Sequence, residues 1–184
     1  MITRIVTYGV IGALIVGAFM VTGMMSWAGE GTHPPENGAV VGYLTQFVAL
    51  IVVFLGVKAH RDIALGGVIK FWPAFGVGMA ISGIACLGWI ISWEIVLAVT
   101  KLDTGAMLKD MMVGEAQARG ASEAEIAKVT ADAQNLANLY AIPPLRWLMT
   151  VVEMLVPLGI FVPLASAGLL RNSRFLPMRP VVAN

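Results

Sequence analysis

Glu94 and Glu153 are the residues of this chain best suited to chemistry. Each carboxylate lies inside a long apolar run, and an acid in hydrocarbon is costly and is normally paired, protonated or functional. Counted inward from the end of its run, each sits about six residues from the same side of a bilayer, roughly 9 Å at helical rise. The spacing therefore predicts two acids at one depth, able to share a proton or hold a small cation. Pro157 follows Glu153 by four residues and lacks the amide hydrogen that would bond its carbonyl, so a free carbonyl is expected beside the carboxylate. Pro163 has the same relation to Gly159. Cationic partners are within reach as well. Arg146 precedes Glu153 by seven residues and Lys101 follows Glu94 by seven, and such long side chains can snorkel outward. The plainer reading, an ion pair or hydrogen bond tying two helices together, is preferred to an ion site.

No other set of residues competes. Gly-x-Ser-x-Gly, His-Glu-x-x-His and phosphate-loop motifs do not occur. His60-Arg61-Asp62 matches a kinase triplet in letters only. It reads better as a cytoplasmic turn, closed by Gly66-Gly67, whose Lys58, Arg61 and Lys70 meet lipid headgroups. His33-Pro34-Pro35-Glu36 reads as a stiff outer turn. Two histidines and the single Cys86 are too few for a metal centre or an internal disulfide. Met107, Met111 and Met112 are a possible thioether set for Cu(I), but apolar packing explains them better. Neither a metal, a cofactor nor an enzymatic activity is expected. The sparse basic residues do not suit nucleic acid.

The elements that must position the two acids follow from composition. Of 184 residues, 58% are hydrophobic and only 12% charged, with mean hydropathy +0.83. A soluble domain would be near a quarter charged. Four apolar runs, about 5–27, 40–57, 75–100 and 147–170, are each long enough to cross hydrocarbon. Trp27, Trp72, Trp93 and Trp147 stand at or near run ends, as interfacial anchors do. The first run exceeds the apolar length of a signal peptide and is expected to stay as a span.

Lys and Arg set the orientation. Arg4, then Lys58, Arg61 and Lys70, then Arg171, Arg174 and Arg179 mark one side, so both termini are expected in the cytoplasm. Residues 101–145 lie on the other side and are too long for a structureless connection. Ser122 and Glu125 fit a capping box, and Ile126, Val129, Ala133, Leu136 and Tyr140 form one apolar stripe. Met107, Leu108, Met111 and Met112 form a shorter stripe before Gly120. The expected fold is an all-α membrane protein, a single domain over 1–184. It is a four-transmembrane-helix bundle with an extracytoplasmic helical hairpin (101–145) between spans three and four. Stripes of small residues should let the spans approach closely: Gly9, Ala13 and Gly17; Gly42, Ala49 and Gly56; Ala74, Gly78, Ser82 and Cys86. Gly76, Gly83 and Glu94 share a face of span three and suggest a close-approach groove beside the acid.

Several stretches resemble a bacterial family known only as domain-of-unknown-function family 4199. They are Arg61-Asp62, Gly66-Gly67-Val68-Ile69-Lys70-Phe71, Ala74-Phe75-x-Val77-Gly78, Gly88-Trp89 and Trp93-Glu94-Ile95. The Ala121-Ser122-Glu123-Ala124-Glu125-Ile126 loop, Glu153-x-x-x-Pro157-x-Gly159 and Leu169-Leu170-Arg171 complete the match. The resemblance implies a small four-span protein of the bacterial inner membrane and brings no activity. The leading expectation is therefore a structural or accessory subunit in the lipid bilayer, bound to a membrane-protein partner or to further copies of itself. The alternative is a small oligomeric transporter or proton- or cation-coupled channel using Glu94 and Glu153.

Overall fold

A computed structural model describes residues 2–28, 38–154 and 159–177. All regular structure among them is helical. Helix α1 spans Ile2–Ala28, α2 Gly38–Ala59, α3 Phe71–Thr100, α4 Thr104–Ala118, α5 Glu123–Tyr140, α6 Pro143–Met154 and α7 Ile160–Leu170. A π turn, His60–Ala64, continues α2. Among the described residues, two helical stretches, Ile2–Met24 and Phe71–Thr100, are long and apolar enough to cross a membrane. Helix α7 is apolar but shorter.

Helix α3 is the hub, packed by α1, α2 and α7. Its contact with α1 explains the small residues of both. A Cβ on Gly9 would lie 2.6 Å from Ile84, one on Gly88 2.3 Å from Ala13, and one on Gly17 2.4 Å from the Ser92 hydroxyl. Residues 9, 13 and 17 thus meet 84, 88 and 92 in order, so α1 and α3 run parallel. Helix α2 returns between them, with Gly56 against Ile81 and Tyr8. Helix α7 runs antiparallel to α3, with Pro163 seated on Gly78. The α1 stripe is the expected one. Its counterpart on α3 is not: Ile84, Gly88 and Ser92 meet α1, while Gly78 serves α7. Gly76 and Gly83 have nothing within 4 Å of a Cβ, so the groove expected from them is no close approach at all.

One core holds Val53, Val57, Ala74, Val77, Ile81, Ala167 and Leu170. A smaller one unites Val16, Cys86 and Met154. Large apolar side chains point away from these cores on every long helix, including Leu14 (66% exposed), Phe47 (59%), Leu87 (59%) and Phe161 (67%).

Helices α4 and α5 form a hairpin packed chiefly on itself. Gly120 makes the turn at φ +73°, a left-handed conformation that glycine adopts without strain. The Ser122–Glu125 capping box is complete in both directions. Ala133 is buried, with Ile126, Val129, Leu136 and Tyr140 half-buried around it. Met111 departs from the expected stripe and is 60% exposed.

Candidate functional site

The site forms where the hairpin's root meets the bundle. Helix α3 extends past Glu94 to Thr100 because its sequence stays apolar, and it stops at Lys101 in a left-handed conformation. Helix α6 starts at Pro143, a residue suited to the first turn because it has no amide hydrogen to leave unpaired. Arg146 and Trp147 follow one turn later and both bind Glu94. The guanidinium grips it side-on, Nε donating to Oε1 at 2.8 Å and Nη2 to Oε2 at 2.7 Å. The Trp147 indole N–H donates to Oε1, also at 2.8 Å. Arg146 Nη1 donates to the Tyr140 carbonyl at 3.1 Å, and its guanidinium carbon lies 5.7 Å from that ring's centroid. One arginine therefore joins α3, α6 and the last residue of α5. Its side chain is 12% exposed and that of Glu94 33%.

Burial pushes the Tyr140 phenol above its ordinary value, opposed in part by the Trp93 indole beside it. That indole N–H is itself buried and completes no hydrogen bond. Below Glu94 an apolar groove of about 780 Å³ runs between α3 and α6, lined by Leu87, Ile91, Ala98, Trp147 and Leu148. Glu94 is its one charged lining residue among the described residues.

The two acids are not brought together. Glu94 is level with Arg146, and α6 advances about 1.5 Å per residue, so Glu153 lies roughly 10 Å farther along. Glu153 is exposed and makes no hydrogen bond or ion pair among the described residues. Lys101 is exposed at the end of α3 rather than joined to Glu94. Pro157 lies outside the described residues, as does His33-Pro34-Pro35-Glu36. Sequence spacing placed Arg146 on the right face but did not assign it to Glu94 over Glu153. It also missed Trp147 as a donor. Groups of three or more His, Cys, Asp or Glu able to hold a metal ion do not occur among the described residues.

A second polar centre lies at the opposite end of the bundle. Arg61, expected at the lipid headgroups, is instead fully buried. Its Nε donates to Asp62 at 2.6 Å. Nη1 donates to the carbonyls of Leu170 and Phe175, at 3.5 and 2.9 Å, and Nη2 to that of Leu176. The carbonyls ending α7 and the turn after it have no helical partner, and the guanidinium fork supplies one. Burial opposes the charge on Asp62, but hydrogen bonds from Arg61 and Lys58 outweigh it and hold the carboxyl below its ordinary value. Lys58 is thus tied to Asp62 and half-exposed, and Lys70 is exposed. The neighbouring His60 is buried with Nδ1 unpartnered, and burial, reinforced by the charge on Arg4, lowers its pKa below 6.5.

No curated protein and no solved structure matches the chain. Residues 7–172 match a family model described as protein of unknown function (DUF4199), a range that holds Glu94, Arg146, Trp147, Arg61 and Asp62 and stops short of the Phe175 and Leu176 carbonyls, and the chain belongs to that family.

Proposed function

We propose that this is a four-span protein of the bacterial inner membrane, with both termini cytoplasmic, acting as a structural or accessory subunit rather than an enzyme. The alternating directions of α1, α2, α3 and the α6–α7 segment support four crossings. So do the apolar side chains that all of them turn outward, since a surface so apolar suits lipid better than water. The α4–α5 hairpin then lies outside the membrane and is the docking surface for a membrane-protein partner.

The observation that carries this reading is the use made of Glu94. Its carboxylate accepts three hydrogen bonds from two residues of α6, and the same arginine holds the end of α5. That chemistry fixes the hairpin on the bundle. Glu153, by contrast, stands seven residues beyond Arg146 on α6, roughly 10 Å of helical rise, and makes no hydrogen bond or ion pair among the described residues.

The test is extraction of the tagged protein from its native membrane in mild detergent, followed by native mass spectrometry. A stoichiometric unrelated partner, lost when residues 104–140 are replaced by a short Gly-Ser linker, is expected. A lone monomer or a homo-oligomer overturns the accessory-subunit reading.

A further inference from the structure

The groove between α3 and α6 has one polar feature, and its chemistry restricts what can occupy it. A carboxylate has about four acceptor positions. Oε1 of Glu94 is taken twice, by Arg146 and Trp147, and Oε2 once, by Arg146. One position on Oε2 therefore remains open on a side chain that is one-third exposed and lines the groove. Arg146 spends three of its five N–H donors on Glu94 and the Tyr140 carbonyl, and its side chain is nearly buried, so Glu94 is the more exposed partner of the pair. The site thus calls for a hydrogen-bond donor, preferably cationic, at Glu94.

The groove itself calls for an alkyl chain. From the level of Glu94 inward to Leu87 it follows seven residues of α3, about 10 Å at helical rise, roughly two-thirds of the hydrocarbon of one leaflet, about 15 Å. Glu94 stands toward its outer end, level with Trp147 and one turn in from the start of α6, the level at which tryptophans meet headgroups. We propose that this groove seats one acyl chain of an outer-leaflet aminophospholipid, whose primary ammonium donates to the open position on Glu94 Oε2. The proposal rests on the membrane-spanning reading. Phosphatidylethanolamine fits it. Phosphatidylcholine has the same phosphate and chains but no N–H, and phosphatidylglycerol presents a net negative charge.

The test uses the full chain, delipidated and reconstituted into vesicles holding the three lipids in equal amounts, then released for native mass spectrometry. One phosphatidylethanolamine per chain is expected, favoured over phosphatidylcholine about tenfold or more, the scale of one charge-assisted hydrogen bond. Leu148→Trp, at an exposed position, fills the groove without disturbing Glu94 and should abolish retention. Glu94→Gln should erase the preference. Equal retention of all three lipids, a preference for phosphatidylglycerol, or full retention by Leu148→Trp each overturns the proposal. A chain that never enters the vesicles refutes the membrane reading as well, so the two failures are distinguishable.

Discussion

Replacing Arg61 by alanine should free the segment after α7 while the helices stay packed. The fully buried guanidinium binds Asp62 and three carbonyls, those of Leu170, Phe175 and Leu176. Losing one partner of a buried charged network costs about 3–5 kcal/mol. Water reaching the freed Phe175 and Leu176 carbonyls recovers part of this, and Lys58 still holds Asp62. A local cost of about 3 kcal/mol remains, which raises the open population of residues 171–177 on the order of a hundredfold. The assay is limited trypsin digestion of the folded protein at Arg171 and Arg174, followed by intact mass. Cleavage should accelerate by that factor in Arg61→Ala. Arg61→Lys should restore under half of the protection, because an ammonium cannot reproduce the planar fork. Cleavage rates equal to wild type in both variants would refute the reasoning, since they would mean that the guanidinium restrains nothing.

Other expectations follow from the helix contacts and from His60. Gly88→Ala would set a Cβ 2.9 Å from the Ala13 Cα and should destabilise the α1–α3 contact by about 1–3 kcal/mol. Gly83→Ala meets nothing within 4 Å and should stabilise by up to about 1 kcal/mol through helix propensity. Equal unfolding midpoints for the two variants in a detergent titration would contradict the parallel register. The pKa of His60 is lower in the folded state than its ordinary 6.5, so the unfolded chain binds the extra proton. Stability should therefore fall as pH drops through about 6.5 and level off once the folded His60 itself protonates. Thermal unfolding from pH 8 to 5 should show that slope in the wild type, where burial and the charge on Arg4 disfavour the protonated ring, and lose it in His60→Gln.

Local features were the more legible part of the sequence. The hairpin could be read because its determinants lie within a few residues of each other: Ser122 with Glu125, Gly120 at the turn, and a stripe of helical period. The α1 stripe was readable for the same reason. Its partner was not, because α3 carries small residues on several faces and only packing decides which meets which helix. Counting inward from the ends of the apolar runs placed Glu94 and Glu153 at one depth. It failed because α3 continues outward well past the level at which α6 begins, and the Arg146–Glu94 pair sets the true register. Charge bias assigned Arg61 to a side of the membrane, which says nothing of burial. Its partners are backbone carbonyls, which no side-chain pattern announces.

Whether Glu94 fastens the hairpin to the bundle is tested most directly by a double-mutant cycle with Glu94→Ala, Arg146→Ala and the double variant, measuring the free energy of unfolding in bilayers. A coupling energy of about 1.5–3 kcal/mol is predicted, the range for hydrogen bonds to charged groups in contact. Additivity within about 0.5 kcal/mol would contradict it and leave the carboxylate without a structural task.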